Sequence, residues 1–390
     1  MLALRKWPLV PVLLAGGLAA MPAAGADHRR IDHVFIIVLE NEGFDITFGP
    51  NSPAKFLSET LPAQGVLLKQ YFAVSHVSLG NYIAMISGQG ATPETRLDCK
   101  TYQDFTLKGI TPDGQAIGSG CVYPAQVKTL ADQLAAAGKT WHGYMEDMGN
   151  DPSREAATCG HPALDSADHT QAAEAPSPAV KLGDQYASRH DPFVYFHSLI
   201  DQPGCDANVV NLDRLPRDLA AAATTPNLVF VSPNLCNDGH DAPCKNGQPG
   251  GLVSADQFLQ KWVPMIMAAP AFKRDGLLIV TFDEAELEVS HVDGKTVLSA
   301  PGASCCNEQP GPNLAPFPQS TTLGSLTLNF ASFGGDRIGA VLLSPLLAPG
   351  TVSTAPFNHY SMLKTIEDIF ALDHLGFAGA PGLHGFFERD

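Results

Sequence analysis

The stretch "HVFIIVLEN" (33–41) is apolar and β-branched without alternation, then ends on Glu40 and Asn41. A strand that shows no polar face must be covered on both sides, as in a parallel sheet flanked by helices. Four more runs have this character: "TWHGYME" (140–146), "NLVFVSP" (227–233), "GLLIVTFDE" (276–284) and "IGAVLLSP" (338–345). Helix-like segments stand between or after them. "PAQVKTLADQLAAAG" (124–138) ends at a glycine, and "SADQFLQKWVPMIMAAPAF" (254–272) opens on a serine cap. "NHYSMLKTIEDIFAL" (358–372) sets Met362, Leu363, Ile366, Ile369 and Phe370 on one face. This order predicts an α/β fold: a doubly wound, mostly parallel sheet sandwiched by helices. Residues 97–123 and 285–330 break the pattern with Gly, Pro, Ser and Thr, and read as loop insertions into one domain spanning 27–390.

The N-terminus carries Arg5 and Lys6, an apolar run, and then Ala24-Gly25-Ala26. This is the form of a secretory signal peptide over residues 1–26, cleaved near Ala26. The run holds Pro8 and Pro11 and is short for a membrane span, so a secreted or periplasmic chain is expected. Eight cysteines suit that compartment: Cys99, Cys121, Cys159, Cys205, Cys236, Cys244, Cys305 and Cys306. Cys99–Cys121 and Cys236–Cys244 are plausible local pairs, and the full connectivity stays open. The net charge of −16 argues against nucleic acid as a partner. It leaves room for a phosphate ligand, because bound cations reverse a local field.

Open α/β sheets bind ligands beyond the C-terminal ends of their strands. Glu40 and Asn41 end the first strand. Asp238, His240 and Asp241 follow the third, Asp283 and Glu284 the fourth, and His359 follows the last through a loop. Carboxylates converging on one rim repel unless a cation neutralises them, and oxygen and imidazole donors suit a divalent metal. The stretch "AVSHVSLGNYIAMISGQ" (73–89) adds Ser78 ahead of an apolar helix, whose free N–H groups favour a phosphate. Metal coordination lowers the pKa of a serine hydroxyl, and Asn81 one turn on can donate to a phosphoryl oxygen. Ser78 taken alone reads first as a helix cap.

At these residues the chain resembles the bacterial phosphoesterase family of secreted acid phosphatases and phospholipases C, within the alkaline phosphatase superfamily. The resemblance rests on five blocks in order: "HVFIIVLENEGFDITFG" (33–49), "SHVSLGNYIAMISG" (75–88), "PNLCNDGHD" (233–241), "IVTFDEAE" (279–286) and "FNHYSMLKTIEDIFAL" (357–372). It implies a metal-dependent α/β sandwich with Ser78 as nucleophile and Asn81 holding the phosphoryl group. It implies Glu40, Asn41, Asp283 and Glu284 at one metal, and Asp238, His240 and His359 at a second or at the phosphate. His76 would assist as proton donor or phosphate contact. Glu146, in a "Y-x-E" block, would line the substrate site. Val77 and Gly80 replace prolines of the family pattern, so the turn before Ser78 is expected to be looser. Asp283-Glu284 stands where Asp-His is common, which leaves one or two ions of zinc, calcium, manganese or magnesium open.

The expected activity is hydrolysis of small-molecule or lipid phosphate monoesters through a phosphoserine. A phospholipase C-like phosphodiesterase is the alternative, and an inactive surface protein binding metal or ligand a third reading. A diesterase would want aromatic residues to hold a cationic head group, and the 285–330 insertion has neither Trp nor Tyr.

Overall fold

Every residue of His33–Leu39 is buried in the computed structural model, which describes residues 31–388. The signal peptide read at 1–26 lies outside the described residues. In chain order the strands are β1 (His33–Leu39), β2 (Val66–Phe72), β3 (Thr106–Ile110), β4 (Ala116–Ser119), β5 (Trp141–Met145), β6 (Val209–Asn211) and β7 (Leu228–Ser232). There follow β8 (Gly276–Phe282), β9 (Glu288–Val292), β10 (Lys295–Ala300), β11 (Gln319–Leu323), β12 (Leu326–Phe330), β13 (Ala340–Leu343) and β14 (Thr351–Asn358).

Eight of them form one sheet in the order β14-β2-β13-β8-β1-β7-β5-β6. β1, β7 and β8 are buried along their whole lengths, and β1 pairs in parallel with both of the others. That is the burial of strands covered by helices on both faces. The sheet is thus α/β and mostly parallel, as the apolar runs predict.

One expectation is corrected. The run at 338–345 forms β13, which lies antiparallel to both β2 and β8. Its C-terminal end points away from the rim that β1 and β8 share. The chain returns along β14, which runs parallel to β2, and β14 delivers His359. β14 is an edge strand with a register shift between Ser353 and Pro356, which is where a strand tolerates a proline.

Two segments carry small sheets of their own: the β3–β4 hairpin, and β11-β12-β10-β9 within 288–330. The helix Gly251–Ala268 begins before the serine expected to cap it. Ser254 lies in its first turn, and its Oγ accepts from Gly250 N. Four disulfides are present: Cys99–Cys121, Cys159–Cys205, Cys236–Cys244 and Cys305–Cys306. Among the described residues no helix is long and apolar enough to cross a membrane.

Candidate active site

The helix Ser78–Ser87 starts on Ser78 itself. Val77 occupies the cap position without a side-chain bond, so Ser78 is not a helix cap. The helix stops at Gly88, whose φ of 67° is the left-handed geometry glycine adopts freely. The loop before it is tied to the helix by Asn81. Asn81 Oδ1 accepts from Val74 N at 3.0 Å and Ser75 N at 2.9 Å, and its Nδ2 donates to Ser75 O at 2.9 Å. The turn is not loosened by Gly80. A Cβ there would come within 2.9 Å of Ser75 Oγ and 3.1 Å of Ala91 Cβ. The missing side chain lets the loop and helix close on each other.

Ser78 Oγ donates to Glu40 Oε2 at 2.9 Å, and Asn41 Nδ2 donates to the same oxygen at 2.9 Å. Tyr82, one turn along the helix, donates to Glu40 Oε1 at 2.6 Å. Asn41 N donates to Asp283 Oδ1 at 3.0 Å. Asn41 has φ of 57°, a conformation asparagine tolerates better than most residues. Two parallel neighbours, β1 and β8, thus bring Glu40, Asn41 and Asp283 to one point, and the helix after β2 brings Ser78.

These carboxylates are wholly buried. Burial, then the charges of Asp283 and Asp238, push Glu40 well above the usual carboxylate range. Burial and the charge of Glu284 do the same to Asp283. Asp238 is pushed up to about 7, chiefly by burial. Asp238 Oδ2 faces His190 Nδ1 at 3.6 Å, and His190 Nε2 faces Glu40 Oε1 at 3.3 Å. Asp283 Oδ2, Asp238 Oδ2 and both His190 nitrogens are buried without a hydrogen-bond partner. Buried polar atoms in native proteins are paired. Unpaired carboxylate and imidazole lone pairs gathered at one rim are the donor chemistry that a divalent cation satisfies.

The other expected residues are placed differently. His76 is completely buried. Its Nδ1 pairs with Glu284 Oε2 and its Nε2 with Asp336 Oδ2 at 3.0 Å. Burial lowers its pKa, but the charge of Glu284 and the bonds to both carboxylates carry it up to about 9. With both nitrogens engaged inside the protein, it is not placed as a proton donor to substrate. Glu284 turns towards His76. His359 Nε2 lies 2.7 Å from Asp283 O and its Nδ1 3.0 Å from Tyr71 OH. Its ring buttresses the Asp283 backbone, and burial lowers its pKa to about 4. Neither a metal nor a phosphate is needed to satisfy it. His240 is at the open rim, with Nδ1 2.9 Å from Asp241 Oδ1. Glu146 accepts from Asn234 N and Asn237 Nδ2, each at 3.0 Å. It pins the turn that precedes Asp238.

Sequence reasoning missed Arg189, His190, Tyr82, Asp98 and Asp336. Tyr82 had a signal, lying four residues after Ser78 on the same helical face. Arg189 and His190 form a basic pair in "SRHDPFVYF", within a 3-10 turn at Ser188–His190. Arg189 is buried, with Nε 3.6 Å from Asp98 Oδ2, and Asp98 Oδ1 accepts from Leu79 N at 3.1 Å. A different set closes at the opposite end of the sheet. Asp32, His33 and Asp275 are the one trio of such side chains, among the described residues, whose ligand atoms lie within 4.8 Å of one another. Lys139 and Arg274 already pair with its two carboxylates.

The fold and this rim define an α/β protein with a hydroxyl, an amide and buried carboxylates meeting at its strand ends. Residues 52–373 match the profile of the Phosphoesterase family, and the chain belongs to that family. A phosphate-repressible acid phosphatase of Penicillium chrysogenum is 25% identical over 70% of this chain and 52% of its own length. A probable acid phosphatase of Kluyveromyces lactis is 26% identical over 90% of this chain and 60% of its own. A phosphatidylinositol-3-phosphatase of Mycobacterium tuberculosis is 24% identical over 95% and 88%. The chain therefore spans just over half the length of the first of these relatives. Among solved structures, an alkaline phosphatase superfamily protein from Vibrio parahaemolyticus aligns with a TM-score of 0.46 at 12% identity, covering 88% of this chain and 67% of that one. Murine ectonucleotide pyrophosphatase/phosphodiesterase 5, in complex with AMP, aligns at 0.45 and 10%, covering 88% and 96%.

Proposed function

We propose that this chain is an exported, metal-dependent phosphomonoesterase of the acid phosphatase type, acting through a phosphoserine at Ser78. The observation that carries the reading is the Ser78 Oγ–Glu40 Oε2 bond of 2.9 Å, made at the first residue of a helix and beside Asp283. Family membership and the acid phosphatase relatives support the chemistry. The four disulfides fit an oxidising compartment.

Glu40, Asn41, Asp283 and Ser78 would hold one ion, and Asp238 with His190 offer donors for a second. A divalent ion bound there supplies Lewis acidity that lowers the pKa of the serine hydroxyl and offsets the buried negative charge. The helix N-terminus and Arg189 give the phosphate a positive field. Asn81 keeps the loop ahead of Ser78 folded onto its helix, so the hydroxyl is aimed before substrate arrives. In the first step a bond forms between Ser78 Oγ and phosphorus as the ester P–O bond breaks. The serine proton is lost to solvent as the hydroxyl ionises, and the leaving alcohol takes one from solvent. Water then displaces Ser78 Oγ from phosphorus, releasing inorganic phosphate and restoring the hydroxyl. His240, exposed on the open rim, would meet solvent-borne substrate.

Acid quench during turnover of a radiolabelled aryl phosphate tests the covalent step. The label is expected on the peptide that contains Ser78. Label on another residue, or none under single-turnover conditions, would count against the phosphoserine.

A further inference from the structure

Two donors beside Ser78 are already held by a carboxylate of the chain itself. Leu79 follows Ser78 in the first turn of the helix Ser78–Ser87, and its N–H is one of those a helix leaves without an internal partner. Side chains lean towards the start of a helix, so Ser78 Oγ and these N–H groups face the same end. Leu79 N donates to Asp98 Oδ1 at 3.1 Å. Asp98 Oδ2 lies 3.6 Å from Arg189 Nε, an ion pair longer than a hydrogen bond. The Asp98 side chain is 15% exposed and that of Arg189 7%, so the carboxylate is the outer partner. Burial lowers the Arg189 pKa, but the charges of Asp98, Glu40 and Asp238 carry it up. The guanidinium therefore serves the rim carboxylates as well as Asp98.

The Asp98 backbone is fixed independently of its carboxylate. Asp98 N donates to Thr95 O at 3.2 Å, and Gln171 Nε2 donates to Asp98 O at 3.0 Å. The next residue, Cys99, is tied to Cys121 by a disulfide. The Asp98 φ of 54° is a left-handed geometry that aspartate tolerates. Rotation of the side chain alone would therefore free both donors. One oxygen on a helix N–H and the other beside an arginine is the pair of contacts that a phosphoryl group takes.

We propose that Asp98 is a stand-in for the phosphoryl group: its carboxylate holds Leu79 N and Arg189 until the phosphate of a substrate displaces it. The displacement weakens phosphate binding, and it favours release of the inorganic phosphate that the reaction leaves behind. The proposal rests on the reading of Ser78 as the nucleophile, and it makes Leu79 N and Arg189 the phosphoryl donors of that site.

Calorimetric titration of the full chain with inorganic phosphate tests this. D98N keeps an oxygen for Leu79 N and drops the charge; it should bind phosphate about tenfold more tightly than wild type, the worth of one charged contact. D98S removes the carboxylate by a second route and should shift the affinity the same way, so one folded variant suffices. Either change leaves Arg189 short of a counter-charge, so phosphate should raise the melting temperature of the variant more than that of wild type. D241N removes a charge from the same rim without freeing either donor, and should change the affinity less than about twofold. An equal gain in D98N and D241N would reduce the effect to bulk charge and overturn the proposal. Weaker or unchanged binding in D98N, or no binding in either form, would make Asp98 a support for the helix and Arg189, and would also overturn it. Phenyl phosphate hydrolysis is followed in parallel. If D98N binds phosphate more tightly but neither form turns the ester over, the stand-in stands and the reaction assignment falls. If turnover depends on Ser78 but D98N gains no affinity, the reaction assignment stands and the stand-in falls.

Discussion

Tyr82 donates to Glu40 Oε1 at 2.6 Å from the same helix whose first residue, Ser78, donates to Oε2. One turn of helix thus holds both oxygens of a buried carboxylate. Glu40 cannot rotate without breaking a bond to the element that carries the hydroxyl. Replacing Tyr82 by Phe removes a hydrogen bond to a charged acceptor, which is worth roughly 1.5–3 kcal/mol. Y82F should lower kcat/KM for phenyl phosphate by about ten- to hundredfold while the chain stays folded. Steady-state kinetics with a melting curve checks this, and unchanged kinetics would mean that Glu40 is held by other contacts.

Gly80 invites a misleading substitution. Alanine in a helix is usually better than glycine by roughly 0.5–1 kcal/mol. Here the added Cβ would meet Ser75 Oγ at 2.9 Å and Ala91 Cβ at 3.1 Å. Ser75 Oγ donates to His76 O, so the loop must shift. G80A should cost about 1–2 kcal/mol, in the range of overpacking, and reduce turnover as well. A raised melting temperature with normal turnover would show that the loop has room to give.

Asp336 joins the 288–330 segment to the loop before Ser78. Its carboxylate accepts from Gly302 N at 3.1 Å, Ala303 N at 2.6 Å and His76 Nε2 at 3.0 Å. D336A should speed amide hydrogen exchange at Gly302 and Ala303 and lower kcat more than tenfold. Exchange as slow as in wild type would show that the segment is anchored elsewhere.

Glu367 makes stability depend on pH, away from the rim. It is wholly buried; Oε1 accepts from Leu375 N at 2.9 Å and Oε2 has no partner. Burial pushes its pKa up to about 9 from an ordinary 4.5. The folded state therefore favours the protonated form. The contribution is fully present below about pH 4.5 and is lost as pH rises towards 9. E367Q keeps the acceptor and removes the charge, so it should match wild type near pH 4 and exceed it by about 1–3 kcal/mol at pH 8. Denaturant unfolding at the two pH values measures this. A variant less stable than wild type at pH 8 would reverse the sign.

Much of the fold and part of the rim were legible in the sequence, for a physical reason. Unbroken apolar runs such as β1 and β8 can only be covered strands, and their last residues fall where an α/β sheet opens. Glu40, Asn41 and Asp283 follow from that. The direction of β13 does not, because an apolar run reads the same both ways along the sheet. β2, "VLLKQYF", is half-exposed and interrupted by Lys69 and Gln70, so its pattern is weak. Arg189 and His190 come from an irregular loop whose place at the rim is set by tertiary packing, which no local period records. His76 and His359 show the converse. Each is near the rim in sequence logic, yet their hydrogen bonds turn them into supports for Glu284 and the Asp283 backbone.

The central claim is that Ser78, with a metal held by the neighbouring donors, cleaves a phosphate monoester. Steady-state hydrolysis of phenyl phosphate and bis-phenyl phosphate by wild type and S78A, with and without a chelator, tests it most directly. The account predicts turnover of the monoester that falls at least a thousandfold in S78A, and that the chelator removes and added divalent metal restores. Full activity in S78A, or turnover of the diester alone, would contradict it.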